Sequence, residues 1–176
     1  MMDTTLYLGP DVVVTLRSAL GFAEEWEPMA PVQVRNTWNG RAKVIKPTFR
    51  RKSTIRLSGA GNGVWRVPNF QMLEPGHIVT LHSCIWQHDL LPAGTLSKTL
   101  RWTPVPGSTR IRDPETDQIF EHTVVDKTVS VAVAFDRPMA IAFYAAVECL
   151  LGDVSMSGDS KTGLATWSAD LHMRDA

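Results

Sequence analysis

Apolar residues two apart, in short runs broken by glycine and proline, limit this chain to β-structure. The clearest run follows Pro75-Gly76: His77-Ile78-Val79-Thr80-Leu81-His82-Ser83-Cys84-Ile85-Trp86, rich in β-branched side chains. Thr128–Phe135 reads Thr-Val-Ser-Val-Ala-Val-Ala-Phe, which predicts Val129, Val131, Val133 and Phe135 on one face. Ser53–Ser58 alternates in the same way, with Ile55 and Leu57 together, and Gly59–Gly63 closes it. Leu164–Met173 puts Ala165, Trp167, Ala169 and Leu171 on one side.

Turn residues fix where the runs fold back. Asn39-Gly40 predicts a hairpin between Val32–Trp38 and Arg41–Ile45, because both turn positions tolerate positive φ. Asp113-Pro114-Glu115-Thr116-Asp117 predicts a second tip, between Thr109–Arg112 and Gln118–Val125. Gly158–Gly163 is a flexible third. Ala140–Leu151 fits helix or strand, and the favoured arrangement is a long terminal hairpin of Ala140–Met156 against Leu164–Met173. Shorter strands are expected at Thr4–Leu8, Val12–Leu16 and Ser97–Thr103, with Leu90–Gly94 a loop. Arg17–Glu27 is open between a short helix and a continued arm. The expected fold is all-β: a sandwich or barrel with an extended N-terminal arm over residues 1–30, long hairpins and at most one short helix. Residues 31–176 form one β-rich domain, a size that 176 residues bury without disulfides or metal.

No apolar run is long enough to span a bilayer as a helix, and the opening residues carry no positive segment typical of a signal peptide. The expectation is therefore no membrane insertion. Cys84 and Cys149 cannot make a disulfide framework and read as free thiols of a reducing cytoplasm.

Chemical motifs are sparse. His82, Cys84 and His88 share a strand face near His77, yet their spacing fits no zinc pattern, and a buried Cys84 packs as a small hydrophobe. Ser58–Gly63 lacks the following helix and Lys-Ser/Thr pair of a phosphate loop. No Gly-x-Ser-x-Gly elbow is present. The carboxylates of the Asp113–Glu121 tip read as a solvated group. Neither a catalytic residue nor a cofactor is expected.

Charge is balanced overall, 18 basic against 18 acidic side chains, but unevenly placed. No acidic residue lies between Glu27 and Glu74, and that gap holds half of the basic ones. Three readings compete for the strip: phosphate contact along DNA, a solvated strand pair, or a subunit contact. In the last, Glu24, Glu25 and Glu27, or the acidic hairpin with Asp113, Glu115 and Asp117, meet the basic residues Arg41, Lys43, Lys46, Arg50, Arg51 and Lys52 of a neighbour. A neutral chain fits that contact best. Of six tryptophans, Trp26 and Trp38 stand beside charged, turn-rich sequence and are the interface candidates.

Several stretches together resemble structural tail proteins of long, non-contractile-tailed bacteriophages. They are Leu6-Tyr7-Leu8-Gly9-Pro10 with Leu16–Leu20 and Glu25-Trp26-Glu27-Pro28, then Arg51–Gly61, Thr80–Cys84, and Thr166-Trp167-Ser168-Ala169-Asp170-Leu171. The likeness runs over most of the chain as loose patterns. It implies a β-rich virion subunit, assembled in the host cytoplasm and built into the tail. Such a subunit forms a ring of identical copies at the tip or baseplate, beside hub, tube and tape-measure proteins. A tail-tube subunit, stacked around the DNA channel, is the alternative. A carbohydrate- or receptor-binding module using Trp38 and Trp65 is the rival of another class.

Overall fold

In a computed structural model the described residues are 7–12, 22–28, 33–36, 39, 41–45, 53–62, 68–70, 73–162 and 164–174. They are all-β, with no helix and only antiparallel pairing between strands. The strands are β1 (Ala23–Pro28), β2 (Gln33–Asn36), β3 (Ala42–Ile45), β4 (Ser53–Asn62), β5 (Ile78–Leu91), β6 (Ser97–Thr99) and β7 (Thr103–Pro104). They continue as β8 (Arg110–Arg112), β9 (Ile119–Phe120), β10 (Thr123–Val125), β11 (Thr128–Ser130), β12 (Met139–Asp159) and β13 (Leu164–Met173).

The spine is β12, 21 residues long. One of its edges pairs with β5 from Met139 to Leu150. Its other edge takes β8, then β7, then β13. Beyond β13 lie β4 and β1, giving the order β1-β4-β13-β12 with β5 on the far side. The expected terminal hairpin is thus present, and Ala140–Leu151 is strand. Separate sheets of order β10-β11-β6 and β2-β3 complete the described fold.

Two irregularities shape the spine. Between Leu151↔Leu171 and Val154↔Ala169, β12 carries one residue more than β13. One extra residue inverts the side-chain alternation. Val147, Cys149 and Leu151 face the core before it, and Val154 and Met156 pack on the core after it. Gly152 sits in this bulge because a Cβ there would lie 2.7 Å from His172 Nε2. On the other edge, Ser83, Cys84 and Ile85 of β5 stand opposite Ala145 alone. Two extra residues preserve the alternation, so Leu81 and Leu91 both stay buried.

The core is the inward face of these strands. Ile55 and Leu57 of β4, Val79 and Leu81 of β5, Ile141–Leu151 at odd positions, and Trp167, Ala169 and Leu171 are all buried. Trp167 lies directly over Gly59, its ladder partner, and against Phe70 with ring centroids 5.5 Å apart. This explains why β4 continues through Gly59–Asn62 rather than ending at Ser58. A large indole on one strand occupies the space that the opposite glycine leaves.

Three expectations change. In its described part, the segment open between helix and arm is β1, paired with β4 over Ala23–Pro28. The Thr128–Phe135 run ends as a strand at Ser130: Val129 and Val131 are buried, but Val133 is 73% exposed. Phe135 turns instead onto Phe120, centroids 4.7 Å apart, and accepts the Gly94 amide through its carbonyl. Leu90 and Leu91 belong to β5 rather than to the loop after it. β2 and β3 pair on either side of Asn39 as expected, but Asn36 stands opposite Ala42, a register centred on Asn39 rather than on the Asn39-Gly40 step of a two-residue turn.

Gly59→Ala places a Cβ 2.6–2.8 Å from three ring atoms of Trp167. Overpacking of this kind costs about 1–3 kcal/mol. Urea unfolding should show that loss, whereas Ala60→Ser at the exposed neighbouring position changes stability by less than about 0.5 kcal/mol.

Candidate functional site

The candidate residues fall into three groups. The first centres on Glu24. Its ladder partner is Leu57, so its side chain points inward with Trp26. It reaches across to β5, where the bulge leaves amides without a regular ladder. One carboxylate oxygen of Glu24 accepts the Ser83 hydroxyl and the Trp26 indole N–H, each at 2.6 Å; the other accepts the Cys84 amide at 2.7 Å. Three donors on one carboxylate form a strong, charge-assisted set. The contact joins the first strand of the sheet order to the strand beyond β12, so the sheet curls without closing as a barrel. Trp26 packs edge-on against Trp102, centroids 5.7 Å apart. Both candidates are thus engaged within the chain.

Burial and the adjoining Glu24 carboxylate push the Cys84 thiol up to about 12. Burial does the same for Cys149. Neither thiol has the character of a nucleophile. His82, whose pKa burial lowers, lies against Tyr7 in a tilted ring contact with centroids 4.3 Å apart. Among the described residues no three metal-ligating side chains converge. No helix among them is long and apolar enough to cross a membrane.

The second group is the acidic hairpin between β8 and β9, and here one expectation is corrected. Asp113 is not on a solvated tip: it is 3% exposed. Its carboxylate accepts the Glu115 amide at 3.0 Å and the Thr116 hydroxyl at 2.8 Å, and Arg137 pairs with it. The turn needs this acceptor because its amides have no ladder partner. The Glu115 amide, the Thr116 hydroxyl and Arg137 hold the Asp113 carboxyl below the usual range. Glu115 also pairs with Arg137, and Asp117, in the left-handed region at φ 57°, pairs with Arg112 at 2.7 Å.

The third group is the basic strip. Arg41 is exposed just before β3, its amide 3.4 Å from Asn39 Oδ1. Lys43 is a residue of β3 opposite Arg35. Lys46, Arg50, Arg51, Lys52 and Trp38 lie outside the described residues, as does Trp65. Arg56 ends the strip and meets acids of its own chain: Asp170 at 3.1 Å on β13, and Glu25 opposite it on β1. These acids raise its pKa. The one charged residue of β4 is therefore met by acids of the same molecule.

Sequence reasoning missed the outward face of β5 and β12. Even-numbered positions there carry Ile78, Trp86 and Leu90, which are 47%, 41% and 51% exposed. Trp86 stacks on its ladder partner Tyr144, centroids 4.1 Å apart. Ala140, Ala142, Ala146 and Leu150 complete an apolar stripe. The signal is present in β12, where Ala140, Ala142, Tyr144, Ala146 and Leu150 are apolar as well as the odd positions, whereas a strand with one wet face alternates; β5 carries Thr80, His82 and His88 at its even positions. A separate cleft of about 380 Å³ lies beyond β7, between Pro104–Gly107 and the β10–β11 turn, edged by Arg110, His122 and Asp126. His122 Nδ1 donates to the Phe120 carbonyl, and Thr103 and Thr109 also line the cleft.

No protein-family model, no curated protein and no solved structure matches this chain.

Two outcomes follow from the charges. At pH 8 the native chain should resist alkylation by iodoacetamide, while the urea-unfolded chain labels at both cysteines. Glu24→Gln should expose Cys84 to labelling and leave Cys149 protected. Because the folded thiol values are raised, their stabilisation is present below the unfolded value near about 8.5 and declines as pH rises toward about 12. The midpoint of urea unfolding should therefore fall across that alkaline range. Asp113 has the opposite sign. Its contribution is present above about pH 3.9 and is lost as pH falls through the lower folded value. Asp113→Ala should lower Tm by a few degrees at pH 7 and remove part of the acid-side loss.

Proposed function

We propose that this chain is a structural subunit of a bacteriophage tail, joining copies of itself into a ring at the tail tip or baseplate. One observation carries the assembly part of the reading: the described chain satisfies its charge clusters internally and leaves strand edges unpartnered. Gly59–Asn62 of β4 has β13 on one side and, among the described residues, no strand on the other. Val154–Asp159 of β12 likewise has β13 alone. Open edges with exposed amides and carbonyls invite pairing with another chain. A heterologous contact between such edges closes into a ring when the rotation per copy divides a full circle.

The tail assignment rests on the resemblance, and the fold adds a reason to take its parts together. Ser53–Gly61 and Thr166–Leu171 lie on adjacent strands in register, with Gly59 opposite Trp167. Glu25–Pro28 pairs with the same β4, and Glu24 beside it holds Cys84 of the Thr80–Cys84 stretch. The described parts of these stretches are thus neighbours in the fold, while Leu6, Leu16–Leu20, Arg51 and Lys52 lie outside the described residues.

The tip is favoured over the tube by the acidic hairpin. A lumen passing DNA calls for a field of free carboxylates, whereas Asp113, Glu115 and Asp117 are paired with Arg137 and Arg112. At the far end, Asp159 ties the β12–β13 turn through the Lys161 amide and the Thr162 hydroxyl, each at 2.8 Å. That gives a formed, exposed tip for a neighbour to grip.

Negative-stain microscopy of the purified chain tests the reading. Closed rings of one diameter are expected; extended tubes would move the assignment to the tube. Absence of the chain from purified tailed particles, by mass spectrometry, would overturn the virion role.

A further inference from the structure

We propose that the cleft between the β7–β8 loop and the β10–β11 hairpin binds a small hydroxylated monocarboxylate, of the size of one sugar acid, with Arg110 taking its carboxylate. The site is independent of the assembly reading.

The cleft has two walls. One is the chain running from β7 into β8, from Pro104 through Gly107 to Thr109 and Arg110. The other is formed by His122, Val124 and Asp126. These three are two residues apart on and beside β10, so their side chains leave the same face of that strand. The volume of about 380 Å³ lies at the small end of ligand sites.

Arg110 is the cation of the cleft. Its Nη1 donates to the carbonyls of Gly107 and Thr109, at 3.1 and 2.8 Å. Both hydrogens of Nη1 are thereby used, and the guanidinium is held in place. The edge made by Nε and Nη2 has no hydrogen bond or ion pair among the described residues. That edge is the fork that takes a carboxylate through two parallel bonds. Phe120 is the ladder partner of Ile111, so His122 stands at the Arg110 end of the cleft. Its Nδ1 donates to the Phe120 carbonyl at 3.1 Å, which leaves Nε2 as an acceptor for a hydroxyl. Asp126 lies four residues further on, up to about 13 Å of extended chain away. Its carboxylate is exposed and unpaired among the described residues, and it too accepts hydroxyls. Between them Thr109 is 2% exposed, and its hydroxyl has no hydrogen-bond partner among the described residues. A hydroxyl buried in that way costs stability, and a ligand group or ordered water entering that far supplies the missing bond.

The same features select the ligand. A peptide needs backbone groups to pair with, but the β10 wall presents a strand face rather than an edge. On the opposite wall Pro104 and Pro106 have no N–H. The Val105 amide donates to the Tyr144 carbonyl at 2.8 Å, and the Ser108 amide to the Val105 carbonyl at 3.0 Å. Recognition therefore falls to side chains: one cation for one carboxylate, and acceptors for hydroxyls. Asp126 in the same cleft repels a second negative charge, which disfavours phosphate. Val124 and the two prolines cover the ligand's C–H surface.

Saturation-transfer NMR on the full-length chain tests the site, because it reads the ligand whether the protein is a monomer or a ring. D-glucuronate as the probe should bind saturably, with a Kd of about 1 mM. D-glucose, inorganic phosphate and triglycine should each bind about tenfold more weakly or worse. Arg110→Gln should reduce glucuronate binding to the level of glucose. Arg110→Lys keeps the charge without the fork, and should still lose about threefold; it decides the matter if Arg110→Gln lowers Tm. Asp126→Ala should cut the preference for glucuronate over acetate by about threefold, since both carry one charge and only glucuronate carries hydroxyls. No saturation up to about 20 mM overturns the site. Binding that neither Arg110 variant weakens places the ligand elsewhere and overturns it as well. Phosphate or triglycine binding as tightly as glucuronate overturns the ligand class, as does an unchanged preference in Asp126→Ala. None of these results bears on assembly, which microscopy decides separately.

Discussion

A single strand, 21 residues long and laddered on both edges, sets the terms for the rest of this molecule. Four other strands take their register from β12. Its buried positions form the middle of the core, and its two bulges decide which residues those are. The one-residue bulge near Gly152 is needed because the core lies on opposite parities before and after it. Without that slip Val154 and Met156 would turn outward, exposing two apolar side chains at roughly 1.5–3 kcal/mol each. The two-residue bulge in β5 has the reverse effect. It bends the strand while keeping its alternation, and the amide it frees is the one that Glu24 accepts. A local irregularity thereby recruits a carboxylate from β1, and that recruitment curls the sheet.

Charge plays two separate roles. The described clusters act within the chain: Arg56 between Asp170 and Glu25, and Arg137 between Asp113 and Glu115. Exposed pairs of this kind contribute little stability, about 0–1 kcal/mol. Asp113 differs because its buried carboxylate accepts the turn amide and hydroxyl of its own hairpin, so removing it takes the acceptor from both. Once these clusters are satisfied internally, they have little left to offer a partner. Any association of copies would then draw mainly on apolar area, with isolated charges selecting register rather than supplying affinity.

Much of the fold was legible because period-two alternation reports directly on a sheet with one buried face. Ile55 and Leu57, and Trp167, Ala169 and Leu171, lie where their spacing put them. Alternation failed where something else set the backbone. Val133 continues the pattern of Val129 and Val131, yet the chain leaves the sheet at that point so that Phe135 can reach Phe120. Ala23–Pro28 looked like helix or arm because three glutamates masked its period; its inward positions are Glu24 and Trp26, one of them charged. Asp113 looked solvated because sequence shows a carboxylate among turn residues but not the arginine 24 positions later that covers it. The outward face of β5 and β12 escaped notice for a related reason. Leu90 reads as the start of a loop and Ala140–Leu151 fits helix or strand, and composition carries no sign of which side of a strand the core occupies.

How an assembly of this chain would be built turns on its edges. Pairing the open edge of β4 with the far side of β12 would join unlike surfaces, and such contacts close into a ring where the rotation per copy divides a full circle and otherwise run on as a filament. The outward face of β5 and β12 adds little to that choice. Ile78, Trp86 and Leu90 are exposed on it, but Thr80, His82, His88 and Glu148 are interspersed along the same side, and the Tyr7 ring lies against His82. Polar side chains so spaced break the face into small apolar pieces, which a surface carries without a partner.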